Sequence, residues 1–186
     1  MEETLTQKPC NCIKIVLFGP ESSGKTTLSR KLAAYYNTLW VPEFAREYLQ
    51  NKWDTEALIC APEDLVPIAI GQMKLENEAT EKTENVLFCD TDLLETKVYG
   101  EVYYGGWSDP VLDKYALKNE YTLYLLTYID TPWEADDLRD RPDQREEMFA
   151  HFENALKKYN RPYITLKGSI DERMKMAIST INKLLE

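Results

Sequence analysis

The sequence predicts an α/β fold, a five-stranded parallel sheet covered by helices on both faces. Short apolar runs alternate five times with segments of helical spacing, the pattern of repeated strand–helix–strand units. A glycine-bearing segment joins the first apolar run directly to the first helical segment. The chain has 186 residues, 44% of them hydrophobic, which suffices for one core but not for a second large domain.

Residues 1–12 read as a flexible polar tail and 13–186 as a single domain. Ile13-Lys-Ile-Val-Leu-Phe18 is short, apolar and rich in β-branched residues, so it reads as a buried strand. Residues 25–36 place Leu28, Leu32, Ala33 and Tyr36 at helical spacing. Thr38 to Val41 is expected as the second strand, with a short helix from Phe44 to Lys52 after it. Asp64 to Glu84 reads helical through Leu65, Ile68, Met73 and Leu75, against the breaking tendency of Pro67 and Gly71. Val86 to Asp90 is the third strand, and residues 91–104 read as helix up to Gly105-Gly106. Asp109-Pro110 opens another helix through Leu117. Tyr121 to Tyr128 is the fourth strand. The charged stretch 130–143 is a surface excursion, since both its flanks continue the same alternation. A helix over 144–159, a strand from Pro162 to Leu166 and a helix from Ile170 to Leu185 complete the chain.

Composition excludes several classes. No stretch approaches eighteen apolar residues, and the polar start lacks the basic and apolar regions of a signal peptide, so a cytoplasmic location is expected. With 22 basic and 32 acidic residues the net charge is −10, which repels nucleic acid and anionic membrane alike; neither is expected as a partner. Cys10, Cys12, Cys60 and Cys89 lack the second cysteine pair or histidine cluster that structural zinc needs. Cys89 lies in an apolar run and reads as a buried thiol. His151 is the only histidine and sits among Phe149, Phe152 and Leu156 in a helical pattern, which speaks against histidine-based nucleophilic catalysis.

Gly19-Pro-Glu-Ser-Ser-Gly24-Lys25-Thr26 matches G-x-x-x-x-G-K-[ST] in full, between a strand and a helix as its mechanism requires. The glycines allow tight turns, so successive N–H groups of Gly19, Glu21, Ser22, Ser23, Gly24, Lys25, Thr26 and Thr27 can cradle phosphate oxygens. Lys25 is expected to reach the β- and γ-phosphates and the Thr26 hydroxyl to ligate Mg²⁺, with the helix N-terminus adding positive potential. The expected ligand is ATP or GTP with Mg²⁺. Switch GTPases carry D-x-x-G and N-K-x-D motifs that are not in place here, and motor ATPases need more chain. A three-layer P-loop kinase of small molecules is the class that remains.

In a doubly wound sheet ligands gather at the carboxyl ends of the strands. Two such ends carry acids: Val41-Pro42-Glu43, and Cys89-Asp90-Thr91-Asp92. Asp90 is expected to organise Mg²⁺; Glu43 or Asp92 is expected to accept the acceptor hydroxyl's proton. The segment from 130 to 145 carries Arg139, Arg141 and Arg145 where small kinases place a lid, and its arginines can neutralise charge on a transferring phosphoryl group. Trp40, Tyr99, Tyr103, Tyr104, Trp107 and Trp133 fall near strand ends and loops, where one or two can stack on a flat ligand and the rest pack.

These elements together resemble the ribosylnicotinamide kinase domain of NadR proteins, an AAA-type P-loop NTPase domain. The resemblance rests on Gly19 to Leu28, on Phe44-Ala-Arg46-Glu-Tyr after Glu43, on Asp90-Thr91-Asp92, and on Thr131-Pro132-Trp133 with Asp136, Asp137 and Arg139. It runs from about residue 13 to the C-terminus. It implies an ATP- and Mg²⁺-dependent kinase that phosphorylates the 5′-hydroxyl of nicotinamide riboside, with Glu43, Arg46, Asp92 and Trp133 around the acceptor. Family members carry Trp immediately before the strand-end Glu, where this chain has Pro42; Trp40 is expected to face the other way. Val41-Pro42-Glu43 with Arg46 also resembles the second-strand motif of deoxynucleoside kinases, in which the Glu is the base at the sugar hydroxyl. A deoxynucleoside kinase is therefore the alternative enzyme, and a non-catalytic ATP-binding regulatory module the alternative outside catalysis.

Overall fold

The computed structural model describes residues 3–186. Strands β1 (Ile13–Phe18), β2 (Trp40–Val41), β3 (Val86–Asp90), β4 (Leu123–Thr127) and β5 (Tyr163–Leu166) form one sheet in the order β2-β3-β1-β4-β5. Every pairing is parallel, with Leu17 level with Asp90 on one side and Leu125 on the other. The helices are α1 (Lys25–Tyr35), α2 (Phe44–Glu56), α3 (Leu65–Thr80), α4 (Leu93–Tyr103), α5 (Pro110–Lys118), α6 (Arg145–Lys158) and α7 (Ile170–Leu185).

Successive residues of a strand point to opposite faces, and β1 shows how both faces are used. Ile15 and Leu17 pack with Leu28 and Leu32 of α1 and Ala177 and Ile181 of α7. Val16 and Phe18 pack with Leu94 and Val98 of α4 and Phe152 and Leu156 of α6. Both sets are fully buried, which is why the strand is apolar at almost every position. Lys14 is the exception; it is satisfied by Glu76 at 2.9 Å, whose other oxygen accepts from the Tyr121 hydroxyl at 2.8 Å. Asp109 caps α5 through the amides of Val111 and Leu112, with Pro110 as the first helical residue. Ser169 and Glu172 form a reciprocal cap at α7.

The N-terminal segment is not a loose tail over its described residues; Met1 and Glu2 lie outside them. Glu3–Leu5 form a 3-10 turn, and Leu5 is fully buried against Leu65, Met73, Leu93 and Leu112. Asn119 donates to the Leu5 carbonyl at 3.2 Å, and Gln7 to Glu76 at 2.9 Å. A single anchor in a polar stretch has no periodicity, so the sequence pattern could not show it. Cys10 and Cys12 are joined as a disulfide, whereas Cys89 is the buried thiol expected. The second strand is shorter than expected, and α2 runs beyond Lys52 until Ala57 adopts a left-handed conformation at φ 55°.

Gly71 does not break α3. A Cβ there would lie 2.1 Å from the Phe44 ring, so the glycine lets the start of α2 lie directly on α3. Gln72, beside it, receives the Phe44 amide at 2.8 Å and donates to the Pro42 carbonyl at 3.3 Å. The backbone on both sides of Glu43 is thereby fixed to α3.

Candidate active site

Because all strands run the same way, their carboxyl ends share one edge, and a cavity of about 760 Å³ opens there. One wall is the β1–α1 loop with the first turn of α1, from Glu21 through Thr27. Gly19 has φ 141°, and a Cβ on it would sit 2.7 Å from Thr127 Oγ1. Only glycine allows that approach of the loop to β4. Ser23 Oγ donates to the Pro20 carbonyl at 2.6 Å and pairs with Thr127 Oγ1 at 2.7 Å. Gly24 caps α1 at φ 86°, leaving the first amides of α1 directed at the cavity.

Lys25 is buried beneath this loop. Its Nζ donates to the carbonyls of Gly19 at 2.7 Å and Pro20 at 3.1 Å and lies 3.1 Å from Glu95 Oε1. Burial disfavours its charge, but the carboxylates of Glu95, Glu43 and Asp90 outweigh that and hold its pKa above the ordinary lysine value. Thr26 Oγ1 donates to Asp90 Oδ2 at 2.6 Å. Asp90 Oδ1 is buried and has no hydrogen-bond partner. Burial first, and the Glu43 charge second, push the Asp90 pKa up to about 7, against the opposing pull of Lys25 and Thr26. A hydroxyl and a carboxylate with an unused oxygen suit Mg²⁺, a hard cation that takes one or two protein oxygens and completes its shell with water and phosphate. Thr26 and Asp90 therefore fit the metal, and no larger cluster of metal-ligating side chains occurs among the described residues.

Asp90 and Asp92 do not share a face. Thr91, between them, takes φ 76°, a left-handed conformation rare for a β-branched residue. The alternation of the strand ends there. Asp92 is buried, accepts the Glu95 amide at 3.0 Å and the Tyr124 hydroxyl at 2.8 Å, and caps α4. Burial raises its pKa to about 6. Asp92 is a buried helix cap that does not line the cavity, unlike the acceptor-side acid expected of it. Glu43 does line the cavity, and so do Arg46 and Pro42. Trp40 lines it as well: positions 40 and 42 share a strand face, so the expectation that Trp40 turns away is corrected.

Segment 130–145 docks on the phosphate loop. Thr131 Oγ1 donates to the Ser22 carbonyl at 2.7 Å, the Glu134 amide to Ser22 Oγ at 2.9 Å, and Arg145 to the carbonyls of Thr131 at 2.8 Å and Ser22 at 3.1 Å. Asp136 links it to α2, accepting from Arg46 at 2.7 Å and pairing with Arg139 at 3.2 Å. Arg139 lines the cavity. Arg141 does not; its guanidinium stacks 4.0 Å over the Tyr103 ring and donates to Gln144. Trp133 also lies off the cavity wall, 5.7 Å beneath the Arg145 guanidinium, because its neighbours Thr131 and Glu134 are the ones fixed to Ser22. Of the aromatic candidates, Trp40, Tyr99, Tyr103 and Tyr104 line the cavity and Trp107 does not. Ile59, Leu65 and Ile68 add apolar side chains to the same lining. His151 sits on α6, half-exposed, 3.9 Å from Glu147 and outside the cavity.

Two residues at the site escape the sequence pattern. Arg173 of α7 is buried and donates to Ser23 O at 2.7 Å, Tyr128 O at 2.9 Å and Gly168 O at 3.0 Å, tying the phosphate loop to β4 and the α7 start. In sequence it is one more charge on a helix. Glu95 stands three residues after Asp92, where a capping-box reading would send its side chain back to the helix start. It instead faces Lys25 and Gly19.

Residues 14–173 match the AAA domain family. The chain belongs to that family. It is 31% identical over 135 residues to the trifunctional NAD biosynthesis/regulator protein NadR of Salmonella typhimurium, a match covering 71% of this chain and 32% of that protein. The chain thus spans about a third of the length of the curated relatives it matches. Its fold is similar to a crystal structure of NadR protein in complex with NR (TM-score 0.79, 22% identity, 94% of this chain and 52% of the other). It is also similar to deoxyadenosine kinase from M. mycoides (TM-score 0.69, 16% identity, 92% of this chain and 100% of the other). These likenesses place the chain in the α/β P-loop kinase-like fold. No helix among the described residues is long and apolar enough to cross a membrane.

Proposed function

We propose that this chain is an ATP- and Mg²⁺-dependent kinase that phosphorylates the 5′-hydroxyl of nicotinamide riboside to give nicotinamide mononucleotide. The observation that carries the reading is the placement of Glu43 on the same cavity as Lys25, Thr26 and Asp90. A carboxylate at the acceptor side facing a phosphate cradle is what in-line transfer to a hydroxyl requires. The similarity to NadR, named for NAD biosynthesis, supports the acceptor.

Lys25 supports charge on the β- and γ-phosphates, and Arg139 adds positive charge from segment 130–145, which acts as the lid. Thr26 and Asp90 hold the metal, which neutralises phosphate charge when bound. Glu43, its backbone fixed by Gln72, orients the acceptor hydroxyl and takes its proton. The flat base stacks on one of the aromatic side chains that line the cavity, Trp40, Tyr99, Tyr103 or Tyr104.

Pro42, where NadR family members carry Trp, favours a second reading in which the acceptor is a deoxynucleoside. A product assay with ATP·Mg²⁺ and a panel of nucleosides separates the two. Nicotinamide mononucleotide as the main product is expected. A phosphorylated deoxynucleoside with none of it would transfer the assignment to the second reading, and no phosphorylated product at all would leave a nucleotide-binding module.

A further inference from the structure

Lys25 is fully engaged inside the protein. An ammonium has three N–H donors. Two go to the Gly19 and Pro20 carbonyls, and the third side of the group faces Glu95 Oε1 at 3.1 Å. Glu95 itself is only 2% exposed. Its Oε2 receives the Gly19 amide at 3.3 Å, and its Oε1 has no hydrogen-bond partner, only the ion-pair contact with Lys25. The carboxylate therefore touches both the lysine and the first amide of the phosphate loop, and it lines the same cavity as the loop.

We propose that Glu95 is a positioning residue for the phosphate site: it holds Lys25 in the loop, and a nucleotide's phosphates must draw the lysine away from it. This rests on the reading of the loop as a nucleoside triphosphate site. Two consequences follow from charge alone. Burial pushes the Glu95 pKa well above the ordinary carboxylate range and the Lys25 ammonium 3.1 Å away pulls it back; as the ionised partner of Lys25, Glu95 repels the polyphosphate and competes with the phosphates for the same ammonium. Glu95 thereby weakens nucleotide binding while keeping Lys25 where it will be needed. Uncomplexed, Lys25 would otherwise be a buried cation bonded only to two carbonyls. Asp92 caps α4 through the Glu95 amide, while the Glu95 side chain turns to Lys25 and Gly19 instead of back to the helix start.

The sign of the effect separates this role from a merely structural one. Glu95→Gln keeps the shape and an oxygen for the Gly19 amide but removes the charge. Equilibrium binding of ATP·Mg²⁺, measured calorimetrically on the full chain without any acceptor, should tighten by at least on the order of tenfold, somewhat more than one charge interaction supplies when fully screened by water. In turnover, KM for ATP should fall with no rise in kcat. Glu95→Asp retains the charge but draws it back from Lys25, and should shift affinity less than Glu95→Gln; it also serves if the glutamine variant does not fold. Weaker or unchanged binding in both variants, beside a wild type that binds, overturns this role alone. A wild type that binds no nucleotide overturns the reading of the loop and this inference with it.

Discussion

Lys25, Asp90 and Glu95, on the phosphate side of the cavity, are at most 7% exposed and sit at the end of β3 or in the first turns of α1 and α4. Arg139 and Asp136, on the facing segment 130–145, are about a quarter exposed and rest on ion pairs with each other and with Arg46. The first group is over-determined by the core: moving any member disturbs β1, β3 or α4. The second is held by contacts that each contribute roughly 0–1 kcal/mol at an exposed surface and weaken with salt. The proposed phosphoryl transfer draws on both kinds of wall, one that fixes phosphate geometry and one held loosely enough for exchange of ligands.

Substitutions can break or sharpen this contrast. The largest effect is expected at Lys25. Lys25→Ala should lower turnover by at least on the order of 100-fold, the scale of losing one charge-stabilising donor, with the folded state retained by far-UV circular dichroism. Turnover within a few-fold of the wild type would detach the buried wall from the chemistry.

Asp90 and Asp92 divide that wall into a ligand-facing and a structural half. Asp90→Asn should raise the Mg²⁺ concentration for half-maximal activity. It should also change the pH response of the metal-free protein. With its folded pKa at about 7 and its unfolded value near 3.8, Asp90 binds more protons in the folded state between those values, so its contribution to stability falls as pH rises from about 4 to 7. The melting temperature of Asp90→Asn relative to wild type should therefore climb across that window and level off above it. Asp92→Ala should do the opposite: lose about 2–4 kcal/mol from the missing cap and the unpaired Tyr124 hydroxyl, with ATP·Mg²⁺ affinity within twofold of wild type. Thermal melts and nucleotide titrations of the two variants check both, and crossed phenotypes would exchange their roles.

The smallest change in stability is expected on the opposite wall. Arg139→Ala should lower kcat by several-fold and move the melting midpoint by no more than a degree or two. Arg141→Ala, whose guanidinium stacks on Tyr103 off the cavity wall, should lower kcat less than Arg139→Ala. Variants that melt much earlier with normal turnover would make segment 130–145 structural.

The order of strands and helices, the complete phosphate loop and the acids at two strand ends were all legible in the sequence, because each is a local property: periodicity, a glycine spacing, a residue type after an apolar run. Val86 to Asp90 and Ile170 to Leu185 fall where the pattern places them. What local patterns could not decide is which of two neighbouring acids faces the cavity. That depended on one left-handed residue, Thr91, which the chain tolerates because its amide is bonded to Leu17 of the adjoining strand at 3.1 Å. Nor could they show that Leu5 anchors the N-terminal segment, that Gly71 makes room for Phe44, or that Glu95 and Arg173 grip the phosphate loop from α4 and α7. The sequence by itself determined the sheet, its helices and the nature of the loop, since hydrophobic periodicity and backbone permissiveness act between near neighbours. Only the tertiary structure decided which charges meet in the cavity, since buried charges are assigned partners by packing between elements that lie far apart in the chain.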